Sequence, residues 1–234
     1  MLAVTLDIDW APEIVILDAL QIFEEYNVKC TLFCTHDSKV IRSCKKELFE
    51  IAIHPNFNSN LYENSGDLPK KKINDLLSIY PAAKGLRSHS LTSSSSLSNL
   101  FSEIGFKYES NTIIPYSKNI EITKLWNGLF SIPINWEDDI HMYYNNDFKD
   151  LKVNLKNKNL NILNFHPIHI YLNSDKLDIY NIAKYEYNNP EKLNKFINTT
   201  NLGTRDLLIK TLDEIQSLSL ENYKLYDLVK KIKL

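Results

Sequence analysis

Short apolar runs alternate with segments of helical periodicity along the first hundred residues, and this alternation most constrains the fold. Residues 2–8 form an apolar, β-branched run, which predicts a strand. A helix is predicted next, because Pro12 suits a first helical turn and apolar residues then recur at helical spacing at Ile16, Leu20, Phe23 and Tyr26. The same pattern predicts strands at 30–35, 48–54 and 85–88 and helices at 67–80 and 94–104. Such alternation is typical of a mostly parallel sheet wrapped by helices.

The second half of the chain is less regular. Its apolar runs and helical stripes predict strands at 106–109, 125–134 and 160–166 and helices at 204–218 and 225–232. Residues 173–203 are polar and rich in Tyr without clear periodicity, so we expect a long loop or lid over one face. The 234 residues lie in the size range of one α/β barrel, and we expect 1–234 to form a single domain.

Composition excludes several classes of protein. With 44% hydrophobic residues, 24% charged residues and a net charge of -2, the chain has no electrostatic footprint for nucleic acid or an anionic membrane. Asp7 and Asp9 interrupt the N-terminal apolar stretch, so no secretion signal is expected, and no window reaches the roughly 20 apolar residues of a membrane span. Three cysteines without a CxxC pair suit a reducing compartment. We therefore expect a cytoplasmic protein.

Polar side chains collect at the C-terminal ends of the predicted strands, where active sites of β/α folds are built. They include five of the six histidines, the exception being His141. Singly, each is more often a hydrogen-bonded loop or core residue than part of a site, but their coincidence at one edge predicts a site. In chain order these side chains are Asp7, Asp9, His36, His54, Arg87, His89, those of Trp136 to Asp139, His166 and His169.

The spacing of the first two acids indicates a cation. Asp7 and Asp9 lie two residues apart and project to the same side of an extended strand, as do Arg87 and His89. Neighbouring carboxylates repel unless a positive charge lies between them. A divalent metal on Asp9, with Asp7 left free and held by Arg87, resolves this conflict and leaves an acid/base group for catalysis. The alternative for these two residues alone is a strand end with two solvated carboxylates.

These segments, in this order, resemble the polysaccharide deacetylase family, also called the NodB-homology or carbohydrate esterase 4 fold. The resemblance spans residues 2–170 and is greatest to divergent members found with surface-polysaccharide biosynthesis genes, which share GTRDLL at 203–208. It implies an irregular (β/α)7-type barrel. The matching segments are TLDIDWAPE at 5–13, TLFCTH at 31–36, HPNFN at 54–58, GLRSHS at 85–90, INWEDD at 134–139 and NFHPIH at 164–169.

The resemblance implies a metal centre with one altered ligand. Asp9 and His54 correspond to the family's metal ligands, and zinc is the expected ion. Asn58 stands where the family has a second metal-binding His, and Asn is a poor ligand for zinc. We expect His89 to supply the third ligand, with His36 and Asn58 as alternatives.

The resemblance also implies the catalytic roles. Asp7 corresponds to the base, and Arg87 is expected to keep it ionised, since an adjacent cation favours the charged form. His166 corresponds to the general acid that protonates the departing amine, with His169 as the alternative. The expected substrate-binding and orienting residues are Trp136, Asp138, Asp139 and His169.

The resemblance implies an N-deacetylase acting on an amino sugar in surface-polysaccharide biosynthesis. A nucleotide-linked or lipid-linked saccharide is the expected substrate, and acetate is the co-product. One alternative is a catalytically retired, sugar-binding relative of the same fold. Another is a DxD phosphohydrolase of the haloacid dehalogenase type, which is disfavoured because Trp10 follows Asp9 and because such enzymes have no use for His54 and His166.

Overall fold

A nine-stranded sheet organises the part of the chain that the structure describes, residues 1–58, 68–156 and 159–232 of a computed structural model. Along the sheet the order is β6-β7-β5-β4-β3-β2-β1-β9-β8, and every neighbouring pair is parallel except β6 with β7. In chain order the strands are β1 (Leu2–Asp7), β2 (Cys30–Cys34), β3 (Phe49–Ile53), β4 (Gly85–Leu86), β5 (Tyr108–Glu109), β6 (Thr123–Lys124), β7 (Phe130–Ser131), β8 (Trp136–Glu137) and β9 (Asn161–Phe165).

One segment, 130–137, joins the two ends of this curled sheet. It starts as β7, which pairs with β5, and ends as β8, which pairs with β9. Between them the Ile134 amide donates to the Thr112 carbonyl at 2.8 Å and the Asn135 amide to the Ile162 carbonyl at 3.1 Å. Counted this way, seven parallel strands surround the interior of the described structure. The predicted irregular (β/α)7-type barrel is therefore confirmed.

Helices cover the outside of the sheet. Helix α4 shows the local signals clearly: the Ser94 hydroxyl accepts from the Leu97 amide at 3.1 Å at its start, and Gly105 ends it with φ 103°. The described helices are α1 (Glu13–Glu25), α2 (Lys39–Ser43), α3 (Leu68–Ile79), α4 (Ser95–Ile104), α5 (Asp138–Tyr143), α6 (Pro167–Leu172), α7 (Leu177–Ala183), α8 (Pro190–Leu193), α9 (Thr204–Ser217) and α10 (Leu225–Ile232). None of them is long and apolar enough to cross a membrane.

The barrel interior is apolar at one end and polar at the other. Alternate residues of β1 face the same side, so Ala3, Thr5 and Asp7 line the interior while their neighbours pack against the helices. Ala3 belongs to a core cluster that includes Leu225 and Leu228 of α10, which covers the N-terminal end of the barrel. Because this end is filled, the polar side chains collect at the C-terminal ends of the strands.

Two sequence predictions needed correction. Residues 125–134 are not one strand, since only β7 and the residues after it pair within the barrel. Residues 173–203, predicted as a long loop or lid, contain the short helices α7 and α8. Asn189 caps α8 by accepting from the Lys192 amide at 3.2 Å, and Pro190 occupies its first turn. The predicted start of α3 at residue 67 lies outside the described residues.

Candidate active site

Arg87 anchors the polar end of the barrel interior. Its guanidinium is fully buried, and Nη1 donates to Asp7 Oδ1 at 2.6 Å and to Asn164 Oδ1 at 2.5 Å. Its Nε and Nη2 donate to the carbonyl and hydroxyl oxygens of Ser110 at 3.1 and 2.9 Å. The other Asp7 oxygen accepts from Asn164 Nδ2 at 3.1 Å. A buried carboxylate is stable only when paired, and this network supplies a donor to each oxygen of Asp7.

Asp9, His54 and His89 converge next to this pair. Asp9 Oδ1 lies 3.2 Å from His54 Nε2 and 3.2 Å from His89 Nδ1, and the potential ligand atoms of the three residues all lie within 4.8 Å of one another. Burial raises the pKa of Asp9, but the hydrogen bonds with His54 and His89 outweigh it and hold that pKa well below its ordinary value. The bond to Asp9 raises the pKa of His89, against burial.

A backbone carbonyl fixes the orientation of the His54 ring. Its Nδ1 lies 2.7 Å from the Arg87 carbonyl oxygen, which can only accept, so Nδ1 carries the proton and Nε2 faces Asp9. This is the orientation in which histidine binds metals, with one ring nitrogen held by a second group.

The two loops that carry this cluster contain strained backbone. Asp9 and Trp10 have φ of 43° and 56°, and Ser90 and Leu91 have φ of 56° and 51°. Left-handed conformations cost non-glycine residues about 1 to 3 kcal/mol each. These conformations occur where the chain turns sharply after β1 and β4. The two turns direct Asp9 and His89 towards His54.

The donor set fits a small divalent cation. One carboxylate and two imidazoles are ligands that zinc prefers. A tetrahedral ion with bonds near 2.0 Å separates its ligand atoms by about 3.3 Å, and Asp9 Oδ1 lies 3.2 Å from each imidazole nitrogen. Of the two sequence alternatives for the third ligand, His36 does not join this group, and the side-chain oxygen of Asn58 bonds another residue. His36 Nδ1 bonds the Thr35 hydroxyl at 2.9 Å, and the Asn58 Oδ1 accepts from Thr92 at 2.9 Å.

His166 faces the same group from β9. Its Nδ1 lies 2.6 Å from Asp138 Oδ1, and its backbone amide donates to Asp138 Oδ2 at 2.8 Å. Its Nε2 points towards Asp9 Oδ2, at 3.7 Å. Burial lowers the pKa of His166, but the carboxylates of Asp138 and Asp139 outweigh it and raise the pKa well above the ordinary value.

His169 lies next to His166 but both of its nitrogens are occupied. Nε2 bonds Asp139 Oδ1 at 2.7 Å, and Nδ1 bonds the Ser174 hydroxyl at 3.1 Å. The rings of His166 and His169 meet edge to face with centroids 5.7 Å apart. Of the ring nitrogens of His166 and His169, Nε2 of His166 is therefore the one open to the cluster.

Glu137 also faces the site; it lies within the candidate segment 136–139, but the sequence assigned it no role. The potential ligand atoms of Asp7, Glu137 and His166 lie within 4.8 Å of one another, and Glu137 Oε1 is 3.9 Å from His166 Nε2. Burial raises the pKa of Glu137 to about 8. The motif INWEDD carries three adjacent acids, and the register that separates Glu137 on β8 from Asp138 on α5 is visible only in the structure.

Trp136 does not occupy the substrate-facing position that the sequence predicts. It is fully buried, its indole Nε1 donates to His141 Nδ1 at 3.2 Å, and its ring lies 4.7 Å from that of Phe165. It has no face open for stacking on a sugar, because it packs in the core. Trp10 is 44% exposed, and its ring centroid lies 5.1 Å from that of His89.

Tyrosines from 173–203 and a cavity border the cluster. The Tyr187 hydroxyl donates to the Asp9 carbonyl at 3.2 Å, and the Tyr180 ring lies 4.8 Å from His169. A cavity of about 320 Å³ opens beside His54, with Trp10 on one side and residues of α3 on the other. The cavity therefore gives access to His54, one of the three clustered side chains.

Comparisons with known proteins agree with this geometry. The family model described as WbmS-like polysaccharide deacetylase matches residues 4–184. A crystal structure from Bordetella bronchiseptica, of a proposed polysaccharide deacetylase involved in O-antigen biosynthesis, is 30% identical with a TM-score of 0.83, covering 91% of this chain and 90% of that one. A search of curated proteins found no match.

Two more distant structures share the fold. A proposed polysaccharide deacetylase from Mycobacterium smegmatis is 16% identical, with a TM-score of 0.50 and coverage of 96% of this chain and 92% of that one. The Bc1960 peptidoglycan N-acetylglucosamine deacetylase is 14% identical, with a TM-score of 0.52 and coverage of 96% and 85%. Because the family model matches most of the chain, this protein belongs to the WbmS-like polysaccharide deacetylase family.

Proposed function

We propose that this protein is a metal-dependent hydrolase that removes an N-acetyl or similar acyl group from an amino sugar during surface-polysaccharide biosynthesis. The convergence of Asp9, His54 and His89 beside the ion-paired Asp7 carries the proposal. The related protein from Bordetella bronchiseptica, described as involved in O-antigen biosynthesis, supports the pathway. The phosphohydrolase alternative is abandoned, because the family match and the His-rich cluster both belong to another class of enzyme.

Asp9, His54 and His89 would hold the ion, with zinc as the expected metal. A bound divalent cation supplies Lewis-acid polarisation of the amide carbonyl and makes a nearby water more acidic. The protein's own contribution is to hold the three side chains in place, through the Arg87 carbonyl behind His54 and the Tyr187 hydroxyl on the Asp9 carbonyl.

Asp7 acts as the general base. Its carboxylate accepts a proton from the water that attacks the amide carbon, and Arg87 keeps it charged and fixed. Asp7 Oδ2 lies 3.8 Å from His54 Nε2, so it borders the cluster without belonging to the Asp9 group.

His166 acts as the general acid. It donates its Nε2 proton to the amine nitrogen as the C–N bond breaks, while Asp138 holds Nδ1 and favours the imidazolium form. His169 does not take this role, because both of its ring nitrogens already bond protein groups. Its bond to Asp139 instead holds that carboxylate in position. The products are acetate and the free amino sugar.

The substrate is an acylated amino sugar joined to a nucleotide or a lipid carrier. Trp10 is the aromatic side chain open to solvent beside the cluster, and the cavity it lines leads to His54. Aromatic faces stack well against the apolar faces of sugar rings. Trp10 therefore takes the stacking role that Trp136 cannot fill.

Acetate release from a panel of nucleotide-linked and lipid-linked N-acetyl sugars tests the proposal, together with the metal content of the purified protein. We expect acetate from at least one sugar and about one zinc per chain. Asp9→Ala and His54→Ala should lose the metal and the activity, whereas Asp7→Asn should keep the metal and lose about 10² to 10⁴ in kcat. Wild-type protein that purifies without metal and releases no acetate when zinc is added would identify a retired enzyme.

A further inference from the structure

Glu137 is the acidic side chain of the site for which the described protein provides no donor. Its side chain is 12% exposed, and its shortest ionic contact is the 3.9 Å separation of Oε1 from His166 Nε2. No hydrogen bond within residues 1–58, 68–156 and 159–232 reaches its carboxyl group. The neighbouring acids differ, because each has a partner at 2.6 to 3.2 Å: Asp7 with Arg87, Asp9 with His54 and His89, Asp138 with His166, and Asp139 with His169.

Glu137 is largely but not fully buried, and a carboxyl group in such a place without a protein donor calls for a physical reason. Burial and the nearby charges of Asp7 and Asp139 raise the pKa of Glu137, while His166 alone opposes them among the main causes. The protein surroundings therefore disfavour a second charged carboxylate here. A hydrogen bond from a bound molecule would satisfy this group.

The position of Glu137 indicates which atom of the substrate it meets. In the proposed mechanism His166 Nε2 gives its proton to the departing nitrogen, so that nitrogen must come within about 3 Å of Nε2. Because Glu137 Oε1 lies 3.9 Å from the same Nε2, a nitrogen at hydrogen-bond distance from one can be at hydrogen-bond distance from the other. The amide nitrogen of an N-acyl sugar carries one hydrogen, which a carboxyl oxygen can accept.

We propose that Glu137 is a substrate-contacting residue that accepts a hydrogen bond from the scissile amide N–H and so turns the nitrogen lone pair towards His166. The inference rests on the proposed deacylation. As water adds to the carbonyl carbon and gives its proton to Asp7, the nitrogen loses its amide conjugation. The C–N bond then breaks as the His166 proton moves to nitrogen. The original N–H hydrogen stays on the amine and remains hydrogen-bonded to Glu137.

A comparison of an amide with an ester tests this role without knowledge of the natural sugar. The probes are 4-nitroacetanilide, which has an N–H, and 4-nitrophenyl acetate, which has none. The variants are Glu137→Ala, which removes the acceptor, Glu137→Gln, which keeps an acceptor oxygen in the same place, and Glu103→Ala, an exposed control on α4. All are measured as zinc-loaded full-length protein, alongside acetate release from N-acetyl sugars.

We expect Glu137→Ala to lower kcat/KM for the amides about 10- to 100-fold, the size of one lost hydrogen bond to a reacting group, and to leave the ester within about threefold. Glu137→Gln should retain most of the amide activity, and metal content should match the wild type in both variants. Glu103→Ala should behave as wild type.

Three results would overturn the inference while leaving the proposed function intact. They are equal losses on amide and ester, a Glu137→Gln variant as impaired as Glu137→Ala, and a fall in metal content, which would make Glu137 a ligand. A wild-type protein that cleaves the ester but no amide would instead overturn the proposed N-deacetylation, and this inference with it. If Glu137→Ala does not fold, Glu137→Met, which also removes the acceptor but fills the same space, takes its place in the comparison.

Discussion

At the scale of residues, the proposed roles of His54 and His166 differ because different groups hold Nδ1 of the two rings. His54 and His166 each have Nδ1 held by an oxygen and Nε2 directed at the cluster. Their partners differ, because a neutral carbonyl holds His54 and a carboxylate holds His166. A carboxylate stabilises the imidazolium, whereas a carbonyl fixes the tautomer without adding charge. The same side chain is thereby suited to a ligand in one place and to an acid in the other.

Removing the charge of Asp138 should shift the pH dependence of the reaction. Asp138→Asn keeps an acceptor for His166 Nδ1 but removes the charge that raises the pKa of His166, so that pKa should fall. The general acid must be protonated, and the activity it supports is lost as pH rises through its pKa. The alkaline limb of the kcat/KM profile should therefore move to lower pH, with kcat reduced about 10- to 100-fold. Asp139→Asn should shift it less, because Asp139 bonds His169; an unmoved limb in Asp138→Asn would contradict this assignment.

The two tryptophans should respond oppositely to truncation. Trp136 is fully buried, so Trp136→Ala should lower the free energy of unfolding by about 3 to 5 kcal/mol in urea titrations. Trp10 is 44% exposed, so Trp10→Ala should change stability by less than about 1 kcal/mol and raise KM for the sugar substrate instead. If Trp10→Ala leaves KM unchanged, the sugar does not stack on this side chain.

Sequence reasoning located most of the site but could not resolve neighbouring side chains. Asp9, His54 and His89 were predictable as a group, because strand ends of a parallel sheet share one edge. The choice of His89 over His36 and Asn58 depends on the direction of loops after the strands, which no periodicity encodes. Glu137 lay within the candidate segment 136–139 but was given no role for a similar reason, since the sequence does not show where β8 ends and α5 begins.

At the scale of elements, the motif GTRDLL docks α9 onto the end of α6. Asn173 Oδ1 accepts from the Arg205 amide at 3.0 Å, and the Thr204 amide donates to the Ser174 carbonyl at 2.9 Å. Arg205 also pairs with Asp18 of α1 at 2.5 Å. Since the Ser174 hydroxyl bonds His169, this junction supports the site from outside.

Gly203 is required at this junction by a close approach. A Cβ at Gly203 would lie 2.1 Å from the Asn173 carbonyl oxygen, which belongs to the backbone and cannot move cheaply. Gly203→Ala should therefore lower the free energy of unfolding by about 1 to 3 kcal/mol in urea titrations. Gly105→Ala meets no atom within 4 Å but must adopt φ 103°, so it measures the cost of backbone strain alone. A loss in Gly203→Ala no larger than in Gly105→Ala would argue against the steric account.

The element pattern was predictable where periodicity was regular. β1, β2, β3 and β9 were expected within one or two residues, because continuous apolar runs mark strands buried on both faces. The helices in 173–203 were not expected, because they are short and bury few side chains, Ala183 and Leu193 among them. A helix of one or two turns leaves no clear apolar stripe in the sequence.

At the scale of the whole molecule, metal binding should raise the free energy of unfolding and the Tm. The three proposed ligands follow β1, β3 and β4, so an ion bound to them would tie together distant parts of the chain. Zinc at a hundredfold excess over its Kd adds about 2.7 kcal/mol, which is about 5 to 10 °C in Tm for a domain of this size. Chelation should reverse the shift. Asp9→Ala should abolish it and His36→Ala should retain it; a zinc shift that survives in Asp9→Ala would place the ion elsewhere.

The segment that joins the two ends of the sheet ends in β8 and is followed directly by Asp138. Residues 130–137 pair with β5 on one side and β9 on the other, while Asp138, the next residue, bonds His166 directly after β9. A slip of this strand by one residue would turn Glu137 outward and withdraw Asp138 from the imidazole at the same time. The segment that closes the barrel thus leads directly into the carboxylate that holds His166, so that correct closure of the fold is itself a condition for the proposed proton transfer.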